Sequence, residues 1–274
     1  MLGLGNGIGG YQIETYSDPS SLAGLELWLG FNQGISSDEN SSGGSVTHSV
    51  AADNMTHNTK VNQWNDLSGN NNHATQSSSA DKPRWDITGN SGADLGGVKF
   101  PNHAKYMNLT STVNLTGDFT IMIRFRVVNL GGHRTFIGDS NDDFFHINNG
   151  NPDKFTLELN GTTYEWEDAS ATDLTVGDPD YRQIITITRS SGALSLHVNG
   201  GTAAGGWNNQ QDDVDWDSAE THSTTDTLTL SNIGSKANDQ EDFNGFIFDT
   251  LVYSAALSDA DRKLNYNYLN AQTL

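Results

Sequence analysis

The feature that fixes the architecture is a run of apolar residues at every second position. In Gln183–Gly200 it occurs twice, on either side of Ser190-Ser191-Gly192. Ile185 and Ile187 share one face of the first arm, and Leu194, Leu196 and Val198 one face of the second. A period of two means half-buried β-strands. Ser-Ser-Gly between them supplies a hairpin turn, and Asn199-Gly200-Gly201 the next reversal. Phe119–Val127 repeats the pattern: Phe119, Ile121, Ile123, Phe125 and Val127 face a core. Arg124 and Arg126 face the other way, toward solvent or an adjoining loop.

Shorter segments of the same kind punctuate the chain, and Asn160-Gly161 joins two of them as a tight hairpin. Asn244–Tyr253 is apolar on both faces, with Phe246, Phe248 and Val252 on one and Ile247, Leu251 and Tyr253 on the other. It reads as a central strand covered on both sides. Asn32–Lys60 and Thr202–Thr225 carry no periodicity and read as long polar loops. Ser258 followed by Asp259 and Asp261 is a helix N-cap with an acidic first turn, opening a short C-terminal helix that carries Leu264 and Tyr268.

The 274 residues permit one large β-domain, and 29 glycines suit many short strands joined by turns. Residues 1–20 read as a flexible glycine-rich arm, and residues 21–274 as one all-β domain. With no cysteine, disulfides, thiolate metal sites and cysteine nucleophiles are excluded. The net charge of −20 disfavours bare nucleic acid and anionic membranes as partners. No apolar run reaches the ~20 residues of a membrane helix. The first ten residues lack the basic start and apolar core of a signal peptide, so export by such a signal is not expected.

Several segments occur together in a set order: Leu22-Ala-Gly-Leu-Glu-Leu-Trp-Leu29, Trp64-Asn-Asp-Leu-Ser-Gly-Asn70, Val98-Lys-Phe100, the Phe119 strand, the Gln183–Gly200 hairpin, and Asn244-Gly-Phe-Ile-Phe-Asp-Thr-Leu-Val-Tyr253 with Leu257-Ser258. This set resembles the laminin-G-like, concanavalin A-like lectin/glucanase superfamily, in the form common in phage and marine bacterial proteins. The resemblance implies a two-sheet antiparallel jelly-roll sandwich. Relatives often carry an acidic pair in the penultimate strand; here that position is Phe248-Asp249, which departs from family-type metal or ligand chemistry.

The glucanases of this superfamily use a Glu-X-Asp-X-(X)-Glu strand, which does not occur here. The nearest approach, Glu165-Trp166-Glu167-Asp168, lacks the third acid, so no enzymatic activity is expected. Asp66 and Asn70 are candidate calcium ligands, with a turn capped by the Asp66 carboxylate as the alternative; no other cofactor is expected. The Asp212–Asp217 cluster is a second candidate, against a simple solvated loop. Trp85, Trp166, Trp207 and Trp216 are candidate sugar platforms, whereas Trp28 and Trp64 read as core.

Leu2, Leu4, Ile8 and Tyr11 are apolar residues of the arm with no partners within it, suited to ordering against a larger assembly. The leading expectation is therefore a phage virion protein, a capsid decoration or surface protein held to the shell through its arm and present in several copies. The alternative is a carbohydrate-binding module or adhesin that holds glycans, with or without calcium.

Overall fold

A computed structural model describes residues 18–39, 45–49, 58–86, 96–101, 105–129, 131, 133–139, 142–148, 154–167, 182–199, 214–215, 222–236 and 241–272. Strands dominate the described chain, which has one α-helix, Asp259–Ala271, and a short 3-10 turn, Pro19–Ser21. The strands form two antiparallel layers around an apolar core. The order in one layer is Ala193–Asn199, Gln183–Ser190, Phe119–Val127, Gly245–Tyr253 and Leu25–Leu29. In the other it is Thr162–Glu167, Lys154–Leu159, Phe144–Asn148, His133–Gly138, Leu228–Ile233, Met107–Leu115 and Ala74–Thr75. Short strands at one end link the layers: Val98–Phe100, Arg84–Trp85, Thr59–Lys60, Ile35–Glu39 and Gln63–Trp64.

The alternating residues meet in the middle. Ile121, Ile123, Phe125, Ile185, Ile187, Leu194, Leu196 and Val198 belong to one buried cluster, with Leu27, Leu29, Trp64 and Phe136. Trp28 lies on the outer side of its layer, in a second cluster with Met122, Leu251, Tyr253 and Leu269. Both hairpin turns take the left-handed backbone their sequences suggest: Asn160 and Gly161 have φ of 49° and 75°, Ser191 and Gly192 of 51° and 86°. Pro19 is buried and accepts a hydrogen bond from the Tyr253 hydroxyl at 3.2 Å, so the chain is docked against the sandwich at that residue. Residues 1–17, with Leu2, Leu4, Ile8 and Tyr11, lie outside the described residues.

Three expectations need correcting. Arg124 and Arg126 do not face solvent; each is 1% exposed. The C-terminal helix covers the outer side of their layer, and Arg124 Nε donates to Asp249 at 2.7 Å while its Nη1 donates to the Leu269 carbonyl at 2.5 Å. The helix buries Arg262, Asn265, Tyr266 and Leu269, a face repeating at the helical period. Leu264 and Tyr268 flank that face.

Gly245–Tyr253 does not keep one alternation along its length. Its register against Phe119–Val127 slips: Arg124 faces Asp249 and Phe125 faces Ile247. The additional residue is a β-bulge. It places Phe246, Phe248, Leu251 and Tyr253 on the outer side, with Ile247 and Val252 in the core. Finally, Asn32–Lys60 is not all loop. Ile35–Glu39 pairs with both Ser45–Ser49 and Gln63–Trp64, because the pairing of Ile35 with Trp64 brings the Ile35 side chain into the core.

Candidate functional site

Four strands at the linking end of the sandwich lie side by side in strict register. Ile35 pairs with Trp64, Trp64 with Ala74 and Ala74 with Leu109. All four belong to the core cluster. Successive side chains on a strand point to opposite faces, so the neighbouring row must point outward. That row is Ser36, Gln63, Thr75 and Asn108, also paired in order and each half-buried. One row anchors the strands and the other presents amides and hydroxyls.

Gln63, Thr75 and Asn108 of the outer row line an open depression of about 260 Å³ together with Asn62, Gln76 and Ser77, and Ser36 continues the row beside it. None of these side chains carries a charge. Local hydrogen bonds hold most of them in place. Ser36 Oγ donates to Asn62 Oδ1 at 3.2 Å, and Gln63 Nε2 to Asn65 Oδ1 at 2.6 Å. Thr75 Oγ1 donates to the Asn108 carbonyl at 3.3 Å. Gln76 donates to the Tyr106 carbonyl at 3.1 Å and accepts from the Ser78 amide at 3.0 Å. Backbone bonds from Asn62 to Ser36 and from Gln76 to Asn62 fix the floor. Among the described residues, the Asn108 carboxamide, Gln63 Oε1, Asn62 Nδ2 and Ser77 Oγ have no hydrogen-bond partner. Such an array suits a ligand rich in hydroxyl groups, each both donor and acceptor.

The residues singled out from sequence lie elsewhere. Trp85 is 0% and Trp166 2% exposed, both in the core, so neither indole offers a stacking face. Trp166 packs edge-on against His222, with ring centroids 5.0 Å apart. Trp207 and Trp216 lie outside the described residues, as do Asp212 and Asp217; no side-chain placement is described for Asp215. Trp28 and Trp64 are buried.

The Asp66 carboxylate closes a turn. It accepts from the backbone N–H of Trp28 (2.9 Å), Ser68 (2.9 Å) and Asn72 (2.9 Å), and from the Ser68 hydroxyl (2.8 Å). Asn70 donates to the carbonyls of Leu25 and Glu26. These contacts follow the capped-turn alternative. Among the described residues no three His, Asp or Glu side chains gather as a metal group. Glu165 accepts from Lys154 Nζ at 3.0 Å, and the Glu167 side chain lies outside the described residues.

Asp249 has a structural environment. It is 1% exposed and accepts from the Phe31 N–H at 2.7 Å as well as from Arg124. The Arg124 guanidinium also lies over the Phe31 ring, 4.7 Å from its centroid. Burial pushes the Asp249 carboxyl up from the usual carboxylate range, with the Arg124 charge and two hydrogen bonds opposing that shift.

Sequence reasoning missed the polar row because Ser36, Gln63, Thr75 and Asn108 are scattered over seventy residues and form no motif. The available signal was alternation in each short strand, Ile35-Ser36, Gln63-Trp64, Ala74-Thr75 and Asn108-Leu109, but only pairing shows that the polar members align.

Residues 101–261, more than half of the chain, match a laminin-G family profile described as the concanavalin A-like lectin/glucanases superfamily. The chain belongs to that family. No curated protein matches it in sequence. Among solved structures, an arabinofuranosidase complexed with arabinofuranosyl-α-1,2-xylobiose superposes with a TM-score of 0.54 at 15% identity. The match covers 91% of this chain, which spans 60% of the length of that enzyme. Domain 4 of AbnA, a GH43 extracellular arabinanase from Geobacillus stearothermophilus, in complex with arabinotriose, gives 0.48 at 12% identity, covering 89% of this chain and 97% of its own. The Ruminococcus gnavus IT-sialidase CBM40 bound to α2,3-sialyllactose gives 0.37 at 13% identity, covering 62% and 95%. At these identities the likeness is one of fold.

Proposed function

We propose that the protein is a non-catalytic carbohydrate-binding module that holds neutral glycans in the groove floored by Gln63, Thr75 and Asn108. The observation that carries this reading is the uncharged row of amides and hydroxyls set in register across four strands, with several donors and acceptors left open. Membership of a lectin/glucanase family supports it, and the oligosaccharide held by the arabinofuranosidase of like fold is in keeping with it. Of the carboxylates nearest to a catalytic pattern, Glu165 is paired with Lys154, in keeping with a role without turnover.

The capsid role expected from the arm rests on Leu2, Leu4, Ile8 and Tyr11, which lie outside the described residues, and no observation in the described fold favours it. A glycan array probed with the full chain tests the proposal. Binding is expected to neutral oligosaccharides, to persist in chelator, and to be lost in the Gln63→Ala/Asn108→Ala double variant with unchanged thermal stability. Binding retained in that variant, or release of reducing sugar, overturns the assignment.

A further inference from the structure

We infer that the groove takes a linear, neutral polysaccharide laid across the strands, about one sugar per strand, rather than the terminal sugar of a branched glycan. This rests on the glycan-binding reading and adds the shape of the ligand.

The geometry comes from the sheet itself. Neighbouring strands are separated by about 4.8 Å, so the four outward residues Ser36, Gln63, Thr75 and Asn108 form a line roughly 14 Å long. That spacing is close to the length of one pyranose ring in an extended chain. A chain running perpendicular to the strands therefore meets a fresh hydrogen-bonding side chain with each sugar. Asn62 and Ser77 flank the line and add a second contact beside it. A terminal-sugar site needs donors and acceptors converging on one ring from several sides. Here the polar groups are spread along an open floor.

The line also has an end. Asn108 pairs in register with Asn232 on the next strand, but Asn232 is 3% exposed, and its amide donates to Ser231 Oγ at 3.0 Å. The accessible row therefore stops at Asn108, and counting back to Ser36 gives about four subsites among the described side chains. The absence of charge among the lining side chains, on a chain of net charge −20, selects neutral chains over polyuronates and sulfated glycans.

Calorimetric titration of the full chain with a length series of β-1,4-xylo-oligosaccharides, from xylose to xylohexaose, and with the matching cello- and arabino-oligosaccharides, tests the inference. Affinity is expected to rise with each added sugar up to about four and then to level, in at least one series. Asn108→Ala is expected to weaken tetrasaccharide binding about fivefold. Asn108→Asp, which keeps the shape but removes the amide donors, serves as the second variant. If xylose, glucose, arabinose or their dimers bind as tightly as the hexamer, the linear-chain inference falls while the glycan-binding reading stands. If no series binds and the array is also blank, both fall. Polygalacturonate binding more tightly than every neutral chain also overturns the inference.

Discussion

At the residue scale, two buried carboxylates tie together parts of the fold that are distant in sequence. Asp66 gathers four hydrogen bonds from three residues, tying the turn after Trp64 to Trp28. Asp66→Ala leaves three backbone N–H groups without this partner, and we expect a loss of about 3 kcal/mol in denaturant unfolding. Asp249 and Arg124 are both 1% exposed. Arg124→Met alone strands a buried carboxylate and should cost about 3–5 kcal/mol, whereas combining it with Asp249→Leu should recover much of that loss. A double-mutant cycle checks this: additive costs would show that the pair is not coupled. The Asp66 turn could be read from Asp-Leu-Ser-Gly, because an aspartate two residues before a serine caps its own backbone. The burial of Arg124 could not, because its cover, the helix, lies 145 residues away at Leu269.

At the element scale, the C-terminal helix sits on the outer side of one sheet, and its start was plain in the sequence. Ser258 Oγ accepts from the Asp261 N–H at 3.2 Å, and Ser258→Ala should cost about 1 kcal/mol. The same helix makes the fold sensitive to alkali. Burial pushes the Tyr266 phenol up to about 12, and Tyr253 is raised further by its own burial despite its hydrogen bond from Asn265. Because the folded state holds these protons more tightly than the unfolded chain, their contribution is complete below about pH 10 and is lost as pH rises through the folded values. Unfolding curves are expected to be insensitive to these groups from pH 7 to 9 and to shift to lower denaturant above pH 10. Tyr266→Phe should flatten part of that shift. The regular strands were legible because each carries its own alternation. Ile35–Glu39 was not, because a Ser-Ser-Asp-Glu segment has little intrinsic preference for a strand and is held by its partners.

At the scale of the whole molecule, the sandwich was readable from the order of its segments, and the polar groove was not. Tryptophan drew attention as the usual sugar platform, yet Trp85 and Trp166 are used to fill the core. The groove is assembled from neighbouring strands that carry polar residues common everywhere in this chain. A surface of uncharged amides predicts a further property: glycan binding should change little between low and high salt, since no ion pair with the ligand is made or screened. Titrations at two ionic strengths check it, and a steep salt dependence would point to charged residues outside the groove.

The bulge at Phe248-Asp249 also bears on how this domain can vary. Beyond it, inward and outward positions are exchanged, so the strand behaves as two halves spliced out of phase. Paired straight through without the bulge, the same residues would send Leu251 and Tyr253 toward the interior and expel Val252, stripping the helix of its seat. Any attempt to graft or recombine this domain must therefore keep the two-against-one match opposite Arg124 and Phe125 before it preserves the identities around it.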